Sequence, residues 1–397
     1  MQRNYSHIVV GAGVLGGATA YWLAQAGVRD VLVLEQYELG HGRGASEDHS
    51  RIIRHTYHSP AYADWTAESF ATWAALGEQA GASFVTRTGG LDFAQRGTLG
   101  ERELGIQRAL LEERGHAYDL LDADAIRSAW PQWRIDDDVV AVHQADGGIL
   151  DIRRANAAQI ALAEQGGVEF REGVTVLGVD STEHGVTVRT SDGVLSADHL
   201  VLCVASWLPQ LQADLGIPWR MRMTQEQVSY FSPERLRDYM PDRFPIWIWH
   251  GEQQAYYGFP IYGEMGVKLA RDMSGRFVTQ ETRSFEPDPD ETALLRRFLD
   301  DKLPGAARRE ILSRTCVYDL TPDRDFVIDR VPGHPRVSYA VGSGHAGKFA
   351  SMIGASLADL ATTGVSRYAI DAFRADRPAL LSADTEFSPM LAALQAE

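Results

Sequence analysis

Three glycines near the amino terminus constrain the fold of this chain more than any other feature. Gly11, Gly13 and Gly16 connect the apolar run 8–10 to an alanine-rich segment. In a βαβ unit, glycines at this spacing allow a tight turn, a close approach of the backbone to a pyrophosphate, and close packing of the helix on the strand. The next apolar run ends at Glu35, where a carboxylate can accept hydrogen bonds from ribose hydroxyls. The pattern predicts a Rossmann-like unit that binds a dinucleotide.

Two later stretches predict further strands of the same α/β domain. Alternating β-branched residues run from 168 to 204, with a turn at 181–185. The run 337–341 leads through a glycine-rich turn into a helix predicted at 348–363. The segments between these stretches carry short runs typical of an antiparallel sheet. We therefore predict an α/β fold in which a discontinuous dinucleotide-binding domain, 1–85, 148–215 and 316–385, is interleaved with a mainly antiparallel α+β substrate domain, 86–147 and 216–315.

Length and composition narrow the functional classes. A chain of 397 residues favours two domains, because single cores stop growing at about 250–300 residues. The formal net charge of −16, without a basic run, argues against nucleic acid and anionic membranes as partners. We see no signal peptide, no apolar stretch of membrane-spanning length and no zinc motif. The two cysteines, Cys203 and Cys316, are typical of a reducing compartment. We expect a cytoplasmic, monomeric protein without a metal that binds a small molecule.

The dinucleotide motif leaves NAD and FAD open, because both cofactors share the ADP half. Several separated segments, however, resemble the monomeric sarcosine oxidase and N-methyltryptophan oxidase family of the D-amino-acid oxidase superfamily. These segments are 51–55, 256–260 with Lys268, 316–318, 342–349 and 377–380. They follow the family's order at compatible spacings over nearly the whole chain. The resemblance implies an FAD-binding domain and oxidation of a carboxylated amine by molecular oxygen, giving an imine that hydrolyses and hydrogen peroxide.

The resemblance also assigns roles to individual residues. Cys316 matches the cysteine that attaches covalently to the flavin, although by position alone it reads as a core cysteine. Arg54 and Lys348 match the pair that holds the substrate carboxylate. Lys268 matches the lysine that promotes the reaction with oxygen, where a fixed positive charge stabilises the anion that forms.

The remaining site residues follow from the motif and from the same resemblance. His345 and Tyr257 match active-site positions, although a histidine beside a glycine turn is equally well explained as structural. For Arg51, two roles are about equally well supported: a contact with the flavin and a structural ion pair. The full predicted cofactor-binding set is Gly11, Gly13, Gly16, Glu35, Ser50, Arg51, Val176, Cys316, Gly344, Gly347 and Lys348.

Departures from the family pattern bear on the substrate. The segment 45–49 replaces the family's histidine-rich run, and Ala205 replaces a glycine. The family's Gly-Phe-Lys becomes Ala-Gly-Lys at 346–348, which removes an aromatic ring, and Asp272 stands where sarcosine oxidase has histidine. We therefore expect a substrate larger than sarcosine, such as an N-methyl amino acid, unless Trp247, Ile248 or Trp249 refills the volume.

Three alternatives stay open. One is a pipecolate, cyclic-imine or fructosyl amino acid oxidase of the same family. Another is a flavin dehydrogenase that uses an acceptor other than oxygen, against which Lys268 argues. The third is a flavin-binding subunit that acts only within a larger assembly.

Overall fold

The computed structural model describes residues 4–252 and 254–381. Residues 1–3 and 382–385 of the predicted dinucleotide-binding domain lie outside the described residues.

The strands of the described chain are β1 (Asn4–Val10), β2 (Val31–Leu34), β3 (Ser50–Ile53), β4 (Val85–Arg87), β5 (Gly90–Gln95), β6 (Asp119–Asp122), β7 (Val139–Gln144), β8 (Gly148–Asp151), β9 (Glu169–Arg171), β10 (Val176–Ser181), β11 (Val186–Thr190), β12 (Gly193–Leu202), β13 (Arg222–Ser232), β14 (Ile246–His250), β15 (Ala255–Phe259), β16 (Val267–Arg271), β17 (Arg276–Val278), β18 (Arg309–Leu320), β19 (Val327–Val331) and β20 (His334–Val341).

The α-helices are α1 (Val14–Gln25), α2 (Pro60–Ala80), α3 (Leu99–Glu113), α4 (Ala123–Ala129), α5 (Ile152–Gln165), α6 (Pro209–Gln212), α7 (Pro289–Lys302), α8 (Ala350–Thr362) and α9 (Pro378–Leu381). Short 3₁₀ helices lie at Ala205–Trp207, Leu236–Tyr239, Ala346–Phe349 and Asp371–Phe373. None of the helices between residues 4 and 381, residue 253 excepted, is long and apolar enough to cross a membrane.

The first large sheet is built around parallel strands. Its order is β10-β11-β12-β1-β2-β9, with β20 parallel to β12 and β19 antiparallel to β20. The strands β1, β2, β9, β12 and β20 pair with one another in parallel, as is typical of a sheet whose strands are connected and covered by helices. Helix α1 packs against both α5 and α8, and a Cβ at Gly354 would stand 2.5 Å from the Cβ of Ala18. The predicted α/β architecture is therefore confirmed.

The second large sheet has nine strands in the order β17-β13-β16-β15-β14-β5-β7-β6, with β18 paired to β13. All its pairs are antiparallel except β14 with β5. Its buried core is rich in aromatic residues and includes Phe93, Trp133 and Trp247. The predicted boundary at 316 falls inside β18, so one strand carries residues of both predicted domains. A small third sheet has the order β3-β8-β4. In the chain, β3 and β4 precede β5, and β8 follows β7.

Two element ends differ from the sequence prediction. The helix predicted at 348–363 opens with the 3₁₀ turn Ala346–Phe349, and α8 itself begins at Ala350. The strand expected to reach 204 ends at Leu202, and the backbone turns sharply at Ala205, whose φ is 44°. In both places the chain leaves the carboxyl end of a strand, which is where ligands bind in an open α/β sheet.

Candidate functional site

A single cavity of about 1070 Å³ collects almost all the predicted site residues. Its volume exceeds the range of about 300–1,000 Å³ that is typical of one small-molecule site. It runs from the turn between β1 and α1 to the glycine-rich turn before α8. The predicted residues that line it are Gly11, Gly13, Glu35, Ser50, Arg51, Arg54, Val176, Tyr257, Lys268, Cys316, Gly344, His345, Gly347 and Lys348.

At one end of the cavity, the first glycine turn leaves no room for side chains. Gly11 has φ of 95°, and a Cβ there would stand 2.5 Å from the carbonyl oxygen of Cys203. A Cβ at Gly13 would stand 2.8 Å from Oγ of Ser46. Gly16 does not line the cavity; a Cβ there would stand 1.7 Å from the carbonyl oxygen of Gly11, so this glycine serves helix packing. The turn thus presents backbone N–H groups at a helix N-terminus, as a pyrophosphate requires.

Glu35 lies beside this turn at the end of β2. Its carboxylate accepts the N–H of Ala12 at 2.9 Å and the N–H of Tyr37 at 3.1 Å, and His41 Nε2 lies at 3.2 Å. Burial opposes ionisation, but the hydrogen bonds from His41, Ala12 and Tyr37 hold the pKa of Glu35 below its usual value. A carboxylate has about four lone-pair positions, so it can still accept ribose hydroxyls.

Arg51 is held by backbone oxygens. Its guanidinium donates to the carbonyls of Glu47 at 2.7 Å, Ser50 at 2.9 Å and Ala45 at 3.1 Å. A Cβ built at Gly347 would stand 3.2 Å from both Cγ and Nε of Arg51. The Cβ direction at 347 therefore points at the side chain of Arg51, and Ile248 lines the cavity. Trp247 and Trp249 belong instead to the core of the second sheet.

Lys268 is buried and paired with an acid that sequence reasoning missed. Its Nζ lies 2.6 Å from Oδ2 of Asp48 and donates to Oγ of Ser50 at 3.0 Å. The hydroxyl of Tyr230 donates to both oxygens of Asp48, at 2.8 and 2.7 Å. Burial raises the pKa of Asp48, but the charge of Lys268 overrides it and holds that pKa well below its usual value. Burial also lowers the pKa of Lys268, which Asp48 opposes.

Arg54 and Lys348 both lie close to the ring of Tyr57. The guanidinium carbon of Arg54 is 5.6 Å from the ring centroid, and Nζ of Lys348 is 5.5 Å from it. Arg54 is bonded to Asp92, with Nη1 and Oδ1 2.5 Å apart. Nζ of Lys348 makes no hydrogen bond or ion pair with residues 4–252 and 254–381. Burial, followed by the charge of Arg54, lowers the pKa of Lys348 to about 7. An unpaired buried ammonium of this kind calls for an anionic ligand.

The thiol of Cys316 lies on β18 with Tyr318, on the same strand that pairs with β13. Burial raises the pKa of Cys316 to about 12, so the free protein holds it as a thiol. Tyr257, from β15, shares a hydrogen bond with Tyr318, and burial raises the pKa of both phenols. These residues form an apolar wall with polar tips beside Lys268.

The second glycine turn is anchored by side chains on both sides. Asp319 accepts the N–H of Gly342 at 3.1 Å and of Gly344 at 3.3 Å, and burial raises its pKa to about 6. Nε2 of His345 lies 3.0 Å from the carbonyl oxygen of Arg324, and burial lowers the pKa of this histidine well below its usual value. His345 is therefore a neutral, hydrogen-bonded ring at the cavity wall.

Asp272 does not stand free for a cationic substrate group. Arg324 Nη2 contacts both its oxygens, at 2.9 and 2.7 Å. Three buried or half-buried acids thus each pair with a cation of the site: Asp48 with Lys268, Asp92 with Arg54, and Asp272 with Arg324. Sequence reasoning missed Asp48, Asp92 and Arg324 as site residues. The one available signal was at Asp92, a charged residue inside the otherwise apolar strand β5.

Comparisons with known proteins agree with this geometry. The family model described as FAD dependent oxidoreductase (DAO) matches residues 6–360. The chain is 30% identical to the monomeric sarcosine oxidase of Bacillus sp. (strain NS-129) over 96% of this chain and 98% of that protein. It is 27% identical to the N-methyl-L-tryptophan oxidase of Salmonella arizonae over 94% of this chain and 99% of that protein. The solved structure of NikD, an unusual amino acid oxidase, superimposes with a TM-score of 0.84 at 25% identity, covering 94% of this chain and 97% of that one.

The chain therefore belongs to the DAO family of FAD-dependent oxidoreductases, in the group of amine oxidoreductases that resembles sarcosine oxidase and N-methyltryptophan oxidase. FAD dependence and the family resemblance expected from the sequence are confirmed. The residues present fit the cofactor, because Gly11 and Gly13 bring backbone without side chains to the cavity at the N-terminus of α1, and the buried carboxylate of Glu35 lies beside them.

Proposed function

We propose that this enzyme oxidises the carbon–nitrogen bond of a secondary (N-alkyl) or cyclic amino acid. The amine gives up two electrons and two protons to become an imine, water hydrolyses the imine, and oxygen accepts the electrons to give hydrogen peroxide. Bound FAD supplies the two-electron acceptor, and the protein supplies binding and orientation. The observation that carries the proposal is Lys348, which has no hydrogen-bond or ion-pair partner for its Nζ in the described part of the chain and lies beside Arg54 at one end of a cavity whose other end is the dinucleotide turn.

In this proposal Arg54 and Lys348 hold the substrate carboxylate. The guanidinium offers a planar fork, and only Nη1 of Arg54 is engaged by Asp92. Lys348 adds a point charge. At about 4 Å and an effective dielectric of ~20, each such charge contributes on the order of 4 kcal/mol before desolvation is subtracted. The two cations lie against Tyr57, so they define one face of the bound substrate.

The cofactor side of the proposal places Cys316 as the covalent attachment point and Lys268 near the site of oxygen reduction. Support for the attachment comes from exposure: both cysteines line the cavity, but Cys316 is partly exposed, whereas Cys203 is buried and its thiol lies 3.6 Å from Oγ1 of Thr19. Denaturing electrophoresis of the holoenzyme tests it. A fluorescent protein band is expected from the wild type and not from Cys316→Ser; release of all the colour on acid precipitation would contradict attachment.

A substrate larger than sarcosine is supported by the wall that α3 contributes. Leu99 and Ile106 line the cavity with 63% and 50% of their surface exposed. They are seven residues apart and so share one helix face. An apolar substituent of an N-methyl amino acid would cover them. We also propose that the enzyme is a cytoplasmic monomer.

A dehydrogenase using another electron acceptor is the second candidate, and one observation favours it. Asp48, 2.6 Å from Lys268, cancels much of the positive charge that oxygen reduction would use. Stopped-flow measurement of reoxidation by oxygen and by a dye acceptor distinguishes the two. An oxidase reoxidises rapidly with oxygen alone.

The substrate class is tested by supplying the purified, FAD-loaded enzyme with a panel of amines and measuring hydrogen peroxide. The panel contains sarcosine, N-methyl-L-tryptophan, pipecolate and longer N-alkyl amino acids, each with its carboxamide as a control. We expect an acid larger than sarcosine to have the highest kcat/KM. A carboxamide that equals its acid would contradict the carboxylate site, and a highest value for sarcosine would contradict the larger substrate.

A further inference from the structure

A chain of four charged side chains links Arg54 through the second sheet to helix α3. Oδ1 of Asp92 accepts Nη1 of Arg54 at 2.5 Å and lies 3.0 Å from Nε2 of His250. Nδ1 of His250 lies 3.4 Å from Oε2 of Glu103. The other oxygen of Asp92 accepts the hydroxyl of Thr56 at 2.7 Å. Arg54, Asp92, His250 and Glu103 are called the Arg54 chain below.

The Arg54 chain joins four separate elements. Arg54 follows β3 of the small sheet, and Asp92 lies in the middle of β5. His250 ends β14, which pairs in parallel with β5, and Glu103 lies on α3 at the cavity wall. Asp92 is 2% exposed and His250 is 7% exposed, so the link between Arg54 and the sheet is shielded from water. Shielding of this kind strengthens each ion pair and fixes the geometry of its members.

The charges in the Arg54 chain cancel when His250 is protonated. The groups that face His250 are Asp92 from β5 and Glu103 from α3. Burial lowers the pKa of His250, but hydrogen bonds to Asp92 and Glu103 override it and raise that pKa to about 9. The two cations and two carboxylates then have a net charge of zero, and the negative charge of Asp92 is shared between Arg54 and His250. Lys348, whose Nζ makes no ion pair with residues 4–252 and 254–381, adds a positive charge outside this balance, which matches a ligand carrying a carboxylate.

We propose that Asp92 is a positioning residue for the carboxylate site: it fixes the guanidinium of Arg54 through Nη1, while His250 balances its charge so that Arg54 can still attract the substrate. The hydrogen bonds of residues 4–252 and 254–381 use only Nη1 of Arg54, which leaves Nε and Nη2 for a ligand. This inference rests on the proposed function, because it assumes that Arg54 binds a carboxylate. It adds a reason why a buried acid stands beside that arginine.

The test compares benzoate with benzamide, a matched charged and neutral pair that is not turned over. Dissociation constants are measured by calorimetry on the FAD-loaded wild type, on Asp92→Asn and on Asp359→Asn. The last variant is the control, because Asp359 pairs with Arg367 at 2.7 Å outside the cavity. We expect Asp92→Asn to weaken benzoate by about tenfold or more, because a displaced guanidinium loses its aligned contacts, and to leave benzamide within about twofold.

Turnover gives the second measurement. For the best substrate of the amine panel, Asp92→Asn should raise KM more than it lowers kcat, since the group lost acts on binding. If Asp92→Asn does not fold, Thr56→Val removes one hydrogen bond from the same carboxylate, and a smaller rise in the benzoate constant is expected.

The outcomes separate the two ideas. Unchanged benzoate binding in Asp92→Asn, or in Thr56→Val where that replaces it, overturns the positioning role while the proposed function stands. Equal weakening of benzoate and benzamide also overturns it, because that pattern indicates a general structural role. Wild-type enzyme that binds benzoate no better than benzamide overturns the carboxylate site itself, and the inference falls with it.

Discussion

The two ends of the cavity are built in different ways. The dinucleotide end consists mainly of backbone: a turn in which a Cβ at Gly11 or Gly16 would meet a backbone carbonyl, and one carboxylate, Glu35, all within the first βαβ unit. The substrate end consists of charged side chains from distant segments: Lys268 and Arg54, each paired with a buried acid, and Lys348. The dinucleotide end depends on glycines, whose missing side chains allow close backbone contacts. The substrate end depends on the balance of charges. Substitutions should therefore fail differently at the two ends.

The largest effect is expected from Gly16→Ala. A Cβ there would stand 1.7 Å from the carbonyl oxygen of Gly11, which is backbone and cannot yield cheaply. We expect loss of FAD binding and a severe loss of stability, measured by flavin content and thermal unfolding. Gly27→Ala is unsuitable as a control because its φ is 74°, so Gly105→Ala on α3, with open space at its Cβ, is used. Normal flavin content in Gly16→Ala would show that the dinucleotide end is not limited by space.

Lys268→Met should give the next largest effect, and it should leave the dinucleotide end intact. We expect reoxidation by oxygen to slow by about 10²-fold or more, as for the loss of one preorganised electrostatic contact, while anaerobic reduction by substrate changes much less. Stopped-flow absorbance separates the two half-reactions. Equal losses in both would contradict the assigned role, and no loss would favour the dehydrogenase alternative.

Lys348→Met should affect substrate binding alone. The loss of a charge-assisted contact of about 1.5–3 kcal/mol corresponds to a rise in KM of roughly 10- to 100-fold for a carboxylated amine. Its carboxamide should be insensitive, and flavin content should stay normal. A variant that handles the acid as well as the wild type would exclude the role.

The sequence predicts the two ends unequally for a physical reason. Local periodicity and the glycine spacing identify β1, α1 and β2, because those elements are formed by neighbours in the chain. The roles of Arg54 and Lys348 were predicted from the family resemblance, but Asp92, the partner of Arg54, was not. Asp92 meets Arg54 only because β5 is placed beside the small sheet, and no local pattern encodes such a contact. Gly347 shows the same limit: a Cβ there would stand 3.2 Å from Cγ and Nε of Arg51, a neighbour that no local pattern indicates.

A pH experiment sharpens the charge balance at the substrate end. The pKa of Lys348 is lowered to about 7 in the cavity, mainly by burial, and a bound carboxylate should raise it again. Between about pH 7 and 8.5, benzoate binding should therefore take up protons, up to one per site. Calorimetry in buffers of different ionisation enthalpy measures this number. No uptake in the wild type, or equal uptake in Lys348→Met, would contradict the assignment.

The stability of the Arg54 chain should also depend on pH. The pKa of His250 is raised to about 9 from a usual 6.5, so its contribution to the free energy of unfolding is complete below pH 6.5 and disappears as the pH rises through about 9. In the wild type, chemical denaturation should show a stability loss over that window that His250→Gln lacks. An identical pH dependence in the two proteins would contradict the pairing with Asp92 and Glu103.

The smallest effect concerns Ala205, at the turn after β12 on the dinucleotide side. Its φ of 44° lies in the left-handed region, which costs a residue with a Cβ about 1–2 kcal/mol, whereas glycine adopts it freely. Glycine loses about 0.5–1 kcal/mol more entropy on folding, so Ala205→Gly should raise the stability by less than about 1.5 kcal/mol. Ala213→Gly is the matched control, because φ there is −65° and the same substitution should destabilise. Thermal unfolding of both variants decides the matter: if Ala205→Gly lowers the melting temperature as Ala213→Gly does, the turn at the dinucleotide end is held by contacts of the methyl group and not by backbone freedom.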